Sequence, residues 1–600
     1  MQSMHPHNPN EIKYIDIEEL GKKLDIAIDR TFDEPTMEDA IKCKPIIDNI
    51  ILSKSNLNNM KKKYGVIYKN NYIYKCFKLL LSNDPDTYIH SHSIIRDRLK
   101  VKRLKSHSGV VSITVFTSGH PEYIKNGKTY QGKFSCKWDC AYCPNEPGQP
   151  RSYLKGEPGV MRANRNEFDC VRQMHDRMVT LYNNSHEVDK LEVLVLGGTW
   201  TSYPVEYREE FIRDIYYAAN IFENGNTQHR TRRSIDYEQN CNRLAKCKVI
   251  GLTLETRPDT ITPEELHRFR HYGCTRIQLG IQHIENDILK KINRGCNNDD
   301  AIKGIKLLKD CGYKIDAHWM PNLPGSSLKQ DDNMLNNVLL GVEEKHYDKK
   351  NNNEKWVLTC PELQVDQWKI YPCTVVPYTK IEEWYREGTY VPYSVKTLTN
   401  LLLKTKSLVF PWIRLNRIVR DIPSSYSLNP DYESNLRNDL TDILKKDGLT
   451  CRCIRCREIK EREFNDNYTI IEREYNASDG TEIFIEAQYD DIIYGFLRLR
   501  YSTDNYSVFP ELKGCTMIRE LHVYGNIVSV CDNSQNLLSS KTQHRGVGKA
   551  LLQRAEHITK ERFGYDKVSV ISGEGTRQYY LKMGYRSSME HGRYMMKHLV

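Results

Sequence analysis

No uninterrupted apolar run in this 600-residue sequence approaches the roughly 20 residues that a bilayer-spanning helix needs. The start, Met1 to Ile12, is polar and histidine-containing, and it lacks the charged-then-apolar order of a secretory leader. A cytoplasmic protein with no membrane partner is therefore expected. Internal repeats are missing, which sets repeat architectures aside. A strong charge of one sign is missing as well, because the formal net charge of +10 is modest for this length. What charge excess there is sits unevenly: the segment Arg96 to Lys105 crowds basic residues around the single acid Asp97. Such a run suits phosphates and hence nucleic acid, although a merely solvated charged face fits it equally well.

The composition that remains, 39% apolar residues and a mean hydropathy of -0.65, is that of a globular chain too long for one core. About two to four domains follow. Eighteen cysteines in a chain expected in a reducing compartment read as metal ligands and core thiols, not as a disulfide framework. Isolated ones such as Cys43, Cys76 and Cys274 read as small buried residues.

Before residue 92 the pattern is helical over Thr36 to Ser53 and Lys75 to Leu81. From Val110 a new rhythm begins, in which short apolar runs alternate with longer amphipathic stretches: Val111 to Phe116, Leu191 to Leu196, Val249 to Leu254, Arg276 to Ile281, Ile315 to Met320, Val365 to Ile370 and Trp412 to Ile418. Near-continuous apolar strands between helices predict a parallel α/β sheet buried on both faces. Polar clusters follow most of these runs: a cysteine triplet, then Gly197-Gly198-Thr199, Glu255 to Asp259, Gln282, His318 and Tyr371. In a parallel barrel, full or partial, such strand ends converge on one mouth. Past a second cysteine group the pattern changes to alternating strands over Thr469 to Tyr475, Ile483 to Gln488, Ile492 to Tyr501 and Met517 to Val523, a helix from Gly546 to Phe563, and the strand Val568 to Ile571. The expected division is a helical region over 1–92, a parallel barrel over 93–400, a linker over 401–460 and a mixed α/β domain over 461–600.

Three motifs carry chemistry. Cys136, Cys140 and Cys143 offer three thiolates to a four-iron cluster, leaving one iron open for a substrate ligand. In radical enzymes that iron chelates S-adenosylmethionine. Zinc is the alternative for this triplet, but no partner cysteine pair follows nearby. The loop Gln543 to Gly548 leads straight into the helix Lys549 to Leu552, and backbone N-H groups at a glycine-opened helix start can cradle the pyrophosphate of acetyl-coenzyme A. A purely structural turn is the alternative there. Tyr580, four residues before Gly584, can protonate a departing thiolate. Cys451, Cys453 and Cys456 have the spacing of a small zinc knuckle at a domain junction, or of three inert thiols; no fourth ligand is evident.

Glu520-Leu521-His522-Val523-Tyr524-Gly525, Val570-Ile571-Ser572-Gly573, Met161-Arg162-Ala163, Gly197-Gly198-Thr199, Pro204-x2-Tyr207-Arg208-Glu209 and Glu255-Thr256-Arg257-Pro258-Asp259 together resemble the catalytic subunit family of Elongator over about residues 90–600. That resemblance implies a radical S-adenosylmethionine (β/α) barrel joined to a Gcn5-related acetyltransferase (GNAT) domain, acting on the wobble uridine of tRNA. It implies that Cys136, Cys140 and Cys143 ligate a 4Fe-4S cluster and that Gly197, Gly198, Thr199 and Glu255 serve S-adenosylmethionine. Lys190, Glu520, Leu521, His522, Val523, Val547, Gly548, Lys549 and Tyr580 would contact acetyl-coenzyme A, with Lys190 and Tyr580 as the catalytic pair. The implied reaction has a deoxyadenosyl radical take hydrogen from the acetyl methyl group; the carbon radical adds to carbon 5 of the uridine, and thioester hydrolysis leaves a carboxymethyl group. The expected partners are the anticodon stem-loop of tRNA, with a homodimer or Elongator-like accessory subunits. Two departures stand out. Cys136 lies closer to Cys140 than the family spacing, after the insertion-like Glu122 to Gly127. Pro144-Asn145-Glu146 replaces the family's Pro-Gly-Gly, which predicts a differently shaped loop around S-adenosylmethionine. Two rival readings remain, a protein lysine acetyltransferase with a structural barrel and a non-catalytic tRNA-binding assembly subunit. The intact cysteines, glycines and Tyr580 speak against both.

Overall fold

A computed structural model describes residues 34–52, 56–64, 68–101, 108–133, 136–223, 225–428, 436–460, 462–504, 507–524, 546–588 and 592–599. Residues 102–105 of the basic run and Gln543 to Arg545 of the glycine loop lie outside the described residues. The described residues fall into two compact units, one within 1–102 together with 180–186 and one within the remainder. In the first, the helices Met37–Leu52 and Asn70–Asn83 bury Ile46, Ile47, Ile50, Ile73 and Phe77 in a common core. Among the described residues no helix is long and apolar enough to cross a membrane.

The second unit contains two sheets. The first is built of seven parallel strands, β1 (Val111–Phe116), β2 (Lys190–Leu196), β3 (Lys248–Thr256), β4 (Arg276–Gln282), β5 (Lys314–Trp319), β6 (Gln367–Ile370) and β7 (Arg414–Arg417). Each run expected as a strand forms one, and neighbours in sequence are neighbours in the sheet. No ladder joins β1 to β7 in the described sheet, so the barrel is partial.

Along β4 the residues Ile277, Leu279 and Ile281 alternate with Arg276, Gln278 and Gln282, and every one is buried. Because side chains alternate between faces with a period of two, the apolar set and the polar set occupy opposite faces. The same alternation gives Glu192 on β2, Asp316 and His318 on β5, and Gln367 and Lys369 on β6. The polar interior face encloses a cavity where a closed barrel would hold a packed core.

The second sheet has β8 (Thr469–Ala477), β9 (Gly480–Tyr489), β10 (Ile492–Tyr501) and β11 (Cys515–Val523) in antiparallel order, then β12 (Lys567–Val570) parallel to β11, and β13 (Met595–His598). The helix Val547–Glu561 covers it with Val547, Leu551, Leu552, Ala555 and Ile558, the stripe that a 3.6-residue period places on one face. A hairpin, Val342–Asp348 and Asn353–Leu358, was not foreseen from the sequence. It leaves the barrel portion of the chain between β5 and β6 and extends the second sheet, with Asn353–Leu358 pairing parallel to β8.

The two sheets are tied by buried charges. Arg519 on β11 donates to Asp366, just before β6, at 2.6 Å and to Glu482 at 2.9 Å. Arg500 donates to Asp310 at 2.6 Å, and Lys309 reaches Glu482 at 3.2 Å. Backbones also meet without room for a side chain: a Cβ on Gly573 would lie 2.2 Å from the Ile250 carbonyl oxygen of β3.

Candidate active site

A cavity of about 1390 Å³ runs from the carboxyl ends of the barrel strands, past the polar interior face, to β11 of the second sheet. Cys136, Cys140 and Cys143 line its upper end. Their loop is pinned by the Ala141 N-H, which donates to the Ile292 carbonyl at 2.9 Å, and by the Cys143 N-H, which donates to that of Cys140 at 2.9 Å. Each thiol has a polar neighbour. The Thr199 hydroxyl lies 3.5 Å from Cys136 Sγ, Ser152 bonds Cys143, and two guanidiniums, Arg257 at 3.8 Å and Arg294 at 3.6 Å, point at Cys140 Sγ. Burial pushes the Cys143 thiol up to about 12, so an uncoordinated thiol there keeps its proton and a metal would displace it.

Gly198, Thr199 and Glu255 line the same end. Gly197 has a φ of 136°, and a Cβ on it would meet Thr117 Oγ1 at 1.9 Å; its smallness serves the packing of β2 against the end of β1. Glu255 accepts from the Tyr153 phenol at 2.7 Å, and burial raises its carboxyl. Arg420 stacks over the Tyr153 ring at 4.9 Å and donates to Glu157 at 2.7 Å.

Midway, Lys369 donates to Gln278 at 2.6 Å and lies 3.8 Å from Asp316; burial pulls it down to about 8. His318 packs edge-on against Tyr371, and burial holds its ring well below the ordinary histidine range. At the lower end Glu520, Leu521, His522 and Tyr580 line the cavity. Burial pushes Glu520 up, but Lys314 at 3.7 Å and Arg498 at 3.0 Å outweigh it and hold the carboxyl below its usual range. Burial lowers His522 and raises the Tyr580 phenol. These shifts leave a neutral imidazole and a neutral phenol at this end near pH 7.

Gly546 is the N-cap of the helix Val547–Glu561, with φ 82° and no side-chain cap. That leaves first-turn N-H groups without an intrahelical acceptor, the arrangement that binds anions. A Cβ on Gly548 would meet the Tyr579 hydroxyl at 2.9 Å, whereas one on Gly546 would meet nothing within 4 Å; Gly546 is required by its left-handed φ. Val523, Val547, Gly548 and Lys549 are not among the residues lining the cavity, and neither is Lys190, which begins β2 beside Asp189 at 3.9 Å.

The second cysteine group is built differently. The sulfurs of Cys451, Cys453 and Cys456 all lie within 4.8 Å of one another, the only group of potential metal ligands among the described residues to do so. Sulfurs sharing one tetrahedral zinc are about 3.8 Å apart, from a Zn–S distance of about 2.3 Å. Cys136, Cys140 and Cys143 do not meet that 4.8 Å limit, as expected if each served a different metal of a larger cluster. Cys456 also lines the cavity, beside Arg455 and Lys460, which puts this cysteine group on the cavity wall.

The sequence pattern missed Arg294, Lys369 and Trp138. Arg294 had no recognisable signal. Lys369 was visible as a polar residue inside an apolar run, and Trp138 as the aromatic between two of the cysteines.

Comparison with known proteins places this architecture. The radical SAM superfamily matches residues 134–336, the radical SAM C-terminal domain 365–446 and the GNAT acetyltransferase family 452–585. The molecule is thus a radical SAM barrel fused to a GNAT domain. A tRNA uridine(34) acetyltransferase of Dehalococcoides mccartyi is 34% identical over 83% of this chain and 99% of its own length. Elongator complex protein 3 of Saccharomyces cerevisiae is 34% identical over 91% of this chain and 92% of its own. The solved archaeal Methanocaldococcus infernus Elp3, with its N-terminus deleted, superimposes with a TM-score of 0.65 at 31% identity, covering 82% of this chain and 99% of that one. The chain belongs to the Elongator complex protein 3 family.

Proposed function

We propose that this chain modifies the wobble uridine of tRNA, using acetyl-coenzyme A to build a carboxymethyl group on carbon 5. The observation that carries the reading is the single cavity, lined at one end by Cys136, Cys140 and Cys143 and at the other by Glu520, His522 and Tyr580. A bound 4Fe-4S cluster and S-adenosylmethionine supply hydrogen-abstracting radical chemistry. The splayed, hydrogen-bonded thiols suit such a cluster, and Gly198, Thr199 and Glu255 stand where S-adenosylmethionine would be held.

At the lower end the helix start behind Gly546 receives the pyrophosphate, and β11 orients the acetyl thioester toward the cavity. Tyr580 then donates a proton to the leaving thiolate. Lys190, outside the cavity, would act on the coenzyme from the rim. An RNA base must be splayed out of its loop to reach such an interior. Arg417, Arg420, Arg455, Lys445 and Lys460 along the wall supply the positive charge that its phosphates need. Zinc at Cys451, Cys453 and Cys456 would brace that wall.

The test is mass spectrometry of nucleosides from tRNA incubated with anaerobically reconstituted protein, S-adenosylmethionine, acetyl-coenzyme A and a reductant. Carboxymethyluridine at the wobble position supports the reading. Acetylated lysine in a histone peptide, with tRNA unchanged, would replace it by the lysine acetyltransferase alternative.

A further inference from the structure

The three cysteines at the upper end differ in what surrounds them. Cys136 and Cys143 each have a hydroxyl neighbour, Thr199 and Ser152, and each feels one arginine, Arg151 and Arg420, at longer range without a described hydrogen bond to it. Cys140 has two guanidiniums, and neither is free to swing away. Arg257, which follows β3, is 3% exposed; its Nε donates to Asp259 at 2.9 Å and its second terminal nitrogen to the Arg294 carbonyl at 2.6 Å. Arg294, in the segment after the helix Asn286–Lys291, is 5% exposed and donates to the Gly280 carbonyl. Trp138 closes the arrangement. Its ring lies 5.9 Å from the Arg257 guanidinium and so close over Gly295 that a Cβ there would sit 2.1 Å from it.

Only one carboxylate, Asp259, compensates these two cations in the bonds described. Two buried positive charges aimed at one sulfur are costly unless that sulfur carries negative charge. A thiolate bound to iron carries it, and the charge grows when the cluster takes up an electron. Hydrogen bonds and positive charge at cluster sulfurs favour the reduced form and raise the reduction potential.

We propose that Arg257 and Arg294 are positioning residues that act through Cys140, stabilising the reduced cluster and so setting the potential at which it accepts its electron. The inference rests on the reading that Cys136, Cys140 and Cys143 hold a 4Fe-4S cluster. The step concerned is one-electron uptake by the oxidised cluster, with the electron supplied by an external low-potential donor, dithionite in the test.

Full-length protein and its Arg257→Gln, Arg294→Gln and double variants are reconstituted anaerobically, their iron and sulfide are counted, and the midpoint potential is read by EPR during a dithionite titration without S-adenosylmethionine. Each single variant is expected to keep its iron and to show at least a tenfold lower ratio of reduced to oxidised cluster at the wild-type midpoint. For a one-electron couple this is a fall of about 59 mV per tenfold. The double variant falls further, and Arg294→Lys, which keeps the charge, recovers part of the loss. Full iron with an unmoved potential would overturn the proposal and leave the arginines as props for the loop. Loss of iron in the Gln and Lys variants alike would overturn it too, since the arginines would then build the site and not tune it. Wild-type protein that takes up no iron would instead remove the cluster reading on which the proposal stands.

Discussion

The upper and lower ends of the cavity are charged on opposite plans. At the upper end two guanidiniums, Arg257 and Arg294, converge on the Cys140 thiol, while Arg420 and Arg417 along the wall are paired with Glu157 and Asp421. At the lower end the charges are already paired, Glu520 with Lys314 and Arg498, and Glu192 with Arg276, while His522 and Tyr580 stay neutral. The upper end is therefore arranged to stabilise negative charge that resides in a bound group. The lower end can give and take protons without first breaking an ion pair. One cavity thus joins a site suited to electron uptake to a site suited to acyl chemistry, and the buried ions around Arg519 hold the two in fixed register.

The largest effect expected is at the upper end alone. Replacing Cys140 by Ala should abolish iron loading while acetyl-coenzyme A still binds, because Cys140 lies in the loop segment after β1 whereas Glu520, His522, Tyr580 and the helix start at Gly546 belong to the second sheet and its helices; metal analysis and calorimetric titration check the two halves. If acetyl-coenzyme A binding disappeared with the iron, the ends would not be independent. Arg519→Met attacks the register between them, removing the shared partner of Asp366 and Glu482 and leaving Asp366 with Arg498 and the Ile315 N-H and Glu482 with Lys309 and Arg500. Breaking a buried ion pair from one side costs about 3–5 kcal/mol, and denaturant unfolding followed on both domains should show the loss. A stability within about 0.5 kcal/mol of wild type would mean that the ion network holds nothing.

Tyr580→Phe sharpens the contrast from the lower side. Losing a general acid should slow thiol release from acetyl-coenzyme A by about 100-fold without changing iron content, and a free-thiol assay reads it. The smallest effect concerns the wall between the ends. Neutralising the exposed Lys445 and Lys460 together should reduce the slope of log affinity for tRNA against log salt by up to about 1.4, roughly 0.7 for each single-strand phosphate that is no longer neutralised. An unchanged slope would take both lysines off the RNA path.

Much of this was legible in the sequence, for a physical reason. The strands of the parallel sheet are buried on both faces, so they stand out as short hydrophobic runs, and their ends mark the mouth. Cys136, Cys140, Cys143, Gly198, Thr199 and Glu255 sit at those ends and meet there. The cavity's interior face was harder to see, because Gln278, Asp316 and Lys369 alternate with apolar residues inside runs that otherwise read as core. Arg294 could not be found, since what makes it matter is a 3.6 Å approach to a thiol 154 residues earlier in the chain. The hairpin at Val342–Asp348 and Asn353–Leu358 was missed because one of its strands is exposed along nearly its whole length and carries no hydrophobic alternation. Lys190, named through family resemblance, begins a strand where nothing in the local chemistry marks it. Its side chain is one-third exposed beside Asp189.

The central claim is that the two ends of the cavity act on one molecule of acetyl-coenzyme A. The most direct measurement supplies acetyl-coenzyme A carrying three deuterons on its methyl group to the reconstituted protein with S-adenosylmethionine, reductant and tRNA, and follows deuterium into 5′-deoxyadenosine by mass spectrometry. Deuterium is expected there, with tRNA present and with Cys140→Ala abolishing it. Unlabelled 5′-deoxyadenosine, formed at the wild-type rate while thiol is released from the coenzyme, would show two separate reactions and contradict a shared cavity.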